Sequence, residues 1–323
     1  MTLDPGFWKK KAVVVTGGAG FLGSFICDQL RALPEPPRIV IPRKKDFDLT
    51  HPDACKRLMQ EAKPQIVIHC AAFYGGIGIN QIHPGRIFYE NLVMGAHLME
   101  ASRLAGVEKF VGVGTACSYP GYLDGVLKES DLWNGPVHES VVNYGLTKKM
   151  MAVQGWAYRR EYQFNAIHLI LTNLYGPRDT FHIRRAHVVS ALIKKFVEAQ
   201  QQKAPEVEVW GTGKPVREFL YIEDCAEGIL RATERYNDTT PLNVGTGIGT
   251  SIRELVDAVH EVTCYQGRLH WNAEKPDGQM MKVLDVSQMK EALQWQPRLS
   301  LREGLQKTIS WYTEHKAEAD LRE

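Results

Sequence analysis

No stretch of this 323-residue chain is apolar over the length needed to cross a bilayer, and Met1 to Lys11 carries no apolar run of the signal-peptide kind. Neither sign of charge is in excess. Lys and Arg number 39 against 37 Asp and Glu, a net charge of +2, which gives no reason to expect nucleic acid or a membrane surface as partner. The six cysteines (Cys27, Cys55, Cys70, Cys117, Cys225 and Cys264) form no C-x-x-C and no metal-ligand spacing. Reduced thiols in a cytoplasmic protein are therefore expected, not a disulfide framework or a metal site. Internal repeats and low-complexity segments are absent too. What remains is an ordinary globular composition, 44% apolar and 24% charged, in a chain long enough to bury a large core in one two-lobed unit.

Ala12 to Val15 is a β-branched run of the kind that forms a buried strand. Thr16-Gly17-Gly18-Ala19-Gly20-Phe21-Leu22-Gly23 follows, and Ser24 to Leu33 has the spacing of an amphipathic helix. Gly17, Gly20 and Gly23 have G-x-x-G-x-x-G spacing, which permits a tight turn, close approach to a pyrophosphate and close helix–strand packing. The helix N-terminus then presents backbone donors to that phosphate. A second strand, Arg38 to Ile41, runs into Pro42-Arg43-Lys44-Lys45, cations where an NAD enzyme would place a carboxylate. That pattern favours the 2′-phosphate of NADP(H); NAD with a solvated basic loop is the alternative. Asp48 and Leu49 could contact the adenine edge. Gln65 to Ala72 reads as a third strand ending in the small residues Ala71 and Ala72, and Tyr74-Gly75-Gly76-Ile77-Gly78 as a loop bending over the ligand. Asn91 to Ala105 has helical spacing, and Lys109 to Val113 is the next strand. Repeated strand–helix alternation predicts an α/β fold, a Rossmann-type doubly wound parallel sheet.

The fourth strand ends in Gly114-Thr115-Ala116-Cys117-Ser118-Tyr119-Pro120. Reacting groups at strand C-termini face the crevice of such folds. Thr115 could hydrogen-bond a substrate oxygen; on its residue type alone, Cys117 is a small buried filler more readily than an acid–base group. Tyr144 and Lys148 stand one helical turn apart, so the phenol and the ammonium can point the same way. A neighbouring cation lowers a phenol pKa from about 10 toward the range where proton transfer is efficient.

With the glycine loop, Thr115 and Tyr144-x-x-x-Lys148 in place, nearly the whole chain resembles the extended short-chain dehydrogenase/reductase superfamily, and within it the GDP-L-fucose synthase branch. Gly75-Gly76-Ile77, Ala116 to Pro120, Lys128-Glu129-Ser130, Thr172-Asn173-Leu174-Tyr175-Gly176-Pro177, Phe181-His182 with His187, Val209 to Phe219 and Lys275 to Gly278 carry that second likeness. The resemblance implies that Thr115, Tyr144 and Lys148 form a reductase triad, with Tyr144 giving a proton to the C4 oxygen while NADPH delivers hydride. It implies that Cys117 and His187 are an epimerising pair, with Thr172, Asn173, Leu174 and His187 also beside the cofactor. A GDP-4-keto-6-deoxy sugar is the implied substrate, GDP-L-fucose or a close relative the product, and a homodimer the implied state. Thr115 stands where the family commonly has Ser, and the first loop reads Thr-Gly-Gly where many of these enzymes have His-Arg-Gly.

The alternation loosens after Leu174, as a smaller C-terminal α/β substrate lobe would require. The expected division is 1–173 for the dinucleotide domain, with part of 220–245 returning to it, and 174–323 for the second lobe. Ala186 to Ala199 reads as a helix bearing Lys194 and Lys195, cations that could hold a diphosphate or line a solvated face. Trp210 could stack on a base, and Arg217 could fork onto a diphosphate; a core tryptophan and a surface ion pair are the alternatives. Ser251 to Leu255 reads as an N-capped helix start, Lys275 to Asp277 as a loop closing on the sugar nucleotide, and Leu301 to Glu323 as an amphipathic helix with a frayed charged tail. Competing functions are an epimerase with retained NAD (GDP-mannose 3,5-epimerase among them), a 4-keto reductase, and a non-catalytic dinucleotide sensor. A 4,6-dehydratase is disfavoured, because Ala116-Cys117 stands where those enzymes carry Asp-Glu.

Overall fold

The β-branched run after Lys11 forms strand β1 (Ala12–Thr16), with all five residues buried. The structure, a computed structural model, describes residues 3–75, 77–123, 125–182, 185–274 and 279–321. Five more strands complete the main sheet: β2 (Arg38–Val40), β3 (Ile66–His69), β4 (Lys109–Thr115), β5 (Ala166–Leu171) and β6 (Leu242–Val244). They pair in parallel in the order β6-β5-β4-β3-β1-β2. The period of two sorts their side chains onto opposite faces. Val13, Val15, Ile66, Ile68, Val111 and Ile167 enter one core, while Val14, Val67, Phe110 and Ala166 enter the other. Burial on both faces is what a parallel sheet requires, and helices supply it.

Helix α1 (Phe21–Arg31) packs with α6 (Ile222–Arg235) on the first face; α2 (Pro52–Ala62), α3 (Pro84–Leu104) and α4 (Val142–Tyr162) cover the second. α1 starts three residues before the expected Ser24, because Gly23 belongs to its first turn. A Cβ on Gly23 would lie 2.3 Å from the Gly17 carbonyl oxygen, so only a glycine allows the helix to begin so close to the strand it follows.

Beyond β5 the strands are short. Asn173–Tyr175 pairs in parallel with Phe219–Tyr221, and Glu206–Trp210 with Arg268–Asn272. Val126–Leu127, Met281–Leu284, Val216–Arg217 and Thr250–Ser251 form a four-stranded mixed sheet. Glu218 ties these pieces together. Its buried carboxylate accepts the backbone N–H groups of Thr246, Gly247 and Leu284 at 2.5, 3.1 and 2.7 Å. Burial nevertheless holds its pKa above the ordinary value, with those bonds opposing. Helix α5 (Val188–Gln201) packs against α7 (Ile252–Thr263), which starts at a Ser251–Glu254 capping box. Where the sequence suggests a helix with a frayed tail, there are two helices, α8 (Leu301–Glu314) and a short one over Lys316–Leu321. The chain leaves helical geometry at His315 and folds back, which brings Asp320 to Lys194 at 2.6 Å and to the Tyr312 hydroxyl at 2.9 Å. Among the described residues no helix is long and apolar enough to cross a membrane.

Candidate active site

The crevice opens where strand order reverses, between the C-terminal ends of β1 and β3, the position at which open α/β sheets bind ligands. Gly17 turns the chain there with φ +68°, and a Cβ on it would stand 2.9 Å from the Ala71 nitrogen. The adjoining cavity, of about 410 Å³, is lined by Gly17, Gly20, Arg43, Lys44, Asp48, Leu49, Ala71 and Ala72 among others. Phe21 and Leu22 pack their side chains against the core, so what they offer the crevice is the backbone of the first helical turn. Lys44 lies 3.9 Å from Asp48 and 3.5 Å from Glu90 on the same wall. Glycines that leave no room for Cβ, a helix N-terminus, and two cations after the second strand together fit a dinucleotide bearing a 2′-phosphate.

Thr115 ends β4, and its hydroxyl accepts the Cys117 N–H at 3.2 Å, which caps the single 3-10 turn Ala116–Ser118. α4 docks on that turn through Gly145, where a Cβ would lie 2.5 Å from the Cys117 carbonyl oxygen; Ser118 donates to the Gly145 carbonyl at 3.0 Å. This contact brings Tyr144 and Lys148 to the end of β4. Both are buried, with the Lys148 ammonium 5.6 Å from the Tyr144 ring centre. Desolvation governs both groups: burial pushes the Tyr144 phenol well up, with Cys117 adding to the rise, and pushes the Lys148 amine down to about 8. The expectation that Lys148 lowers the Tyr144 pKa is not met in this geometry. A cation more than 5 Å from the ring centre does not offset the removal of water. Lys148 also opposes charge on the buried His69 and His168, both pushed down to about 3 chiefly by burial.

His187 reaches the same place from the N-cap position of α5. Between it and the Tyr144–Lys148 pair stands Tyr74, whose ring stacks on Tyr144 at 4.2 Å and on His187 at 5.7 Å, and whose phenol interacts electrostatically with Cys117. Arg217 is half-buried, donates to the Val216 carbonyl at 2.9 Å and interacts electrostatically with Cys117. Behind His187 lies the buried Asp179, which accepts from Ser190 and from the Thr180 N–H. Burial raises its carboxyl pKa, with the Ser190 bond and the nearby imidazole opposing. Thr115, Cys117, Tyr144, Lys148 and His187 therefore converge, and Arg217 joins them.

Other expected site residues lie further off or serve differently. Thr172 and Asn173 spend their side chains on the Glu218 carbonyl at 3.1 and 2.9 Å, while Leu174 packs against the core. Lys195 donates to the Glu208 carbonyl at 2.7 Å and stands 5.9 Å from the Trp210 ring. Trp210 is 61% exposed, so it is not a core tryptophan. Lys194 is engaged by Asp320 and Glu198. Asp277, with Lys275, Pro276 and Gly278, lies outside the described residues, as does Gly76. The sequence marks Tyr74 only as part of a loop bending over the ligand, and it does not mark Asp179. The aromatic ring next to Gly75 was a signal for the first; nothing local marks the second.

A doubly wound parallel sheet with a glycine cradle at its switch point, and a Tyr–Lys pair at its carboxyl edge, defines a dinucleotide-dependent enzyme of the short-chain dehydrogenase type. The family model described as "NAD dependent epimerase/dehydratase family" matches residues 13–245, and the chain belongs to that family. It is 36% identical over 304 residues to a probable GDP-L-fucose synthase 1 of Oryza sativa subsp. japonica, covering 94% of this chain and 92% of the relative. A GDP-L-fucose synthase of Escherichia coli (strain K12) is 33% identical over 315 residues, covering 95% and 98%. Among solved structures, a GDP-L-fucose synthetase from Naegleria fowleri bound to NADP superposes with a TM-score of 0.88 at 25% identity, covering 99% of this chain and 98% of that one.

Proposed function

We propose that this chain inverts C3 and C5 of a GDP-4-keto-6-deoxy sugar and reduces its C4 ketone with NADPH, giving GDP-L-fucose or a close relative. The observation that carries the reading is convergence: Tyr144 and Lys148 share one cluster with Cys117 and His187, joined through Tyr74. A reductase alone has no use for the second pair. The relatives' names agree with this reading, and a neighbour of the same fold holds NADP.

The ketone makes the neighbouring C–H groups acidic. One of Cys117 and His187 removes a proton from such a carbon, and the other returns one on the opposite face, since a thiol and an imidazole can each give or take a proton. Thr115 and Tyr144 stabilise the enolate oxygen by donating to it. Tyr144 then gives its proton to the C4 oxygen, and a phenol that burial keeps protonated is suited to that donation. NADPH, when bound, supplies the hydride. Gly17, Gly20 and Gly23 would admit its pyrophosphate, Arg43 and Lys44 would hold its 2′-phosphate, Asp48 and Leu49 its adenine, and Lys148 its nicotinamide ribose, with Ala71, Ala72 and Thr172 to Leu174 beside it. For the GDP moiety, the exposed Trp210 indole offers a stacking face, and Lys195 and Arg217 offer cations. We assign 1–173, with β6 returned from the 220–245 segment, to the cofactor, and 174–323 to the sugar nucleotide. We also place the protein in the cytoplasm as a homodimer.

The test is incubation with NADPH and GDP-4-keto-6-deoxymannose in deuterated water. The expected result is NADPH oxidation with deuterium at C3 and C5 of the product. Deuterium without NADPH oxidation would leave an epimerase, and oxidation without deuterium a reductase.

A further inference from the structure

Tyr74 touches three of the groups that handle protons, yet the chemistry above gives it no task. Its ring is parallel to within 28° of the Tyr144 ring and 19° of the His187 ring, so one side chain spaces the phenol from the imidazole. Its phenol interacts electrostatically with the third group, the Cys117 thiol. The backbone that carries it is held on both sides. Asn91 accepts the Phe73 N–H at 2.9 Å and donates to the Phe73 carbonyl at 2.8 Å. On the other side, Asn80 donates to the Gly75 carbonyl at 3.2 Å, and the Asn80 carbonyl accepts from Asn143, the residue before Tyr144, at 3.5 Å. Gly75 itself must lack a side chain, since a Cβ would stand 2.7 Å from Ile79. The loop is thus fixed at the residues flanking Tyr74, and the side chain is aimed by that fixing.

We propose that Tyr74 is the positioning residue of the epimerisation step: it aims the Cys117 sulfur through its hydroxyl and sets the spacing of His187 from Tyr144 through its ring. The assignment rests on the epimerase reading above. In that step the proton passes between the substrate carbon and the Cys117 sulfur, while Tyr74 keeps its own. An O–H donated to sulfur stabilises the negative charge that sulfur bears whenever it has given up its proton, and it fixes the direction of the lone pairs. A stacked ring holds an imidazole face without competing for its nitrogens. The hydroxyl therefore acts on epimerisation, and the ring acts on both half-reactions.

Tyr74→Phe separates the two, because it keeps the ring and removes only the oxygen. In deuterated water its exchange at C3 and C5 is expected to fall roughly 10- to 100-fold, the loss of one hydrogen bond to a charged group. The fall should be in kcat, with KM for GDP-4-keto-6-deoxymannose unchanged. Reduction of a pre-epimerised ketone by the same variant should fall far less. Tyr74→Leu removes the ring as well and is expected to slow exchange and reduction together, with NADPH binding, read by fluorescence titration, retained as evidence of folding. Unchanged exchange in Tyr74→Phe, an equal fall in both half-reactions of that variant, or a Tyr74→Leu enzyme faster than the parent would overturn the proposal. A parent chain that reduces the ketone but exchanges no deuterium would remove the epimerase reading itself, and this assignment with it.

Discussion

Tyr144 and Lys148 stand one turn apart on a single helix and are both buried, whereas Cys117 and His187 come from a 3-10 turn and a helix N-cap far apart in the chain and stay partly exposed. The first pair is arranged by helix geometry, and one docking contact at Gly145 places it. The second pair exists only once the 3-10 turn and α5 have come together, with Tyr74 and Asp179 packed around it. On the proposed chemistry the difference has a use. A proton delivered alongside a hydride is best given in a dry site, where the donor's protonation is fixed by burial. An inverted carbon takes up a proton that comes ultimately from solvent, so its partners need access to water.

Cys117→Ser should break the comparison most strongly. Deuterium exchange at C3 and C5 is expected to fall roughly 10²- to 10⁴-fold, the range for a lost acid–base group. Reduction of a pre-epimerised ketone, followed by NADPH absorbance, should fall far less. An equal loss in both would mean that the two pairs are not separable.

Lys148→Met sharpens the contrast from the stability side. Burial holds the Lys148 amine at about 8, below its ordinary 10.5. Between those values the unfolded chain binds more protons than the folded one, so this group's contribution to stability rises with pH across that window. Below pH 8 the parent carries a buried charge, and Lys148→Met is expected to be the more stable of the two by a margin of order 3 kcal/mol. The margin should shrink as pH climbs from 8 to 10.5, as read by urea unfolding at a series of pH values. A constant margin would show that Lys148 is not desolvated as described.

Arg43→Ala carries a smaller effect, confined to the cofactor. KM for NADPH is expected to rise about tenfold, one charge-assisted contact, with KM for NADH unchanged. A parallel rise for both cofactors would move Arg43 from recognition of the 2′-phosphate to the shape of the loop.

The parts of the site legible in the sequence are those fixed by short spacings. Gly17, Gly20 and Gly23 declared a phosphate turn because each needs the absence of a Cβ within a few residues of the next. Tyr144 and Lys148 declared a shared helix face. Strand ends were less legible: β3 stops at His69, before the expected Ala72, and Ala71 and Ala72 beyond it face the cavity. Long-range partners were not legible at all. Asp179 behind His187, Glu218 tying the Thr246–Gly247 loop to Leu284, and Tyr74 between two rings depend on contacts across the fold, and no local periodicity encodes them. The tuning of Tyr144 was misjudged for the same reason, since a cation one turn away is visible in the sequence and the depth of burial is not.

The most direct test that two separate pairs serve one substrate is Tyr144→Phe, incubated with NADPH and GDP-4-keto-6-deoxymannose in deuterated water. The expected result is deuterium at C3 and C5 of the unreduced ketone, at a reduced rate, with no NADPH consumed. Loss of exchange together with loss of hydride transfer would contradict the account.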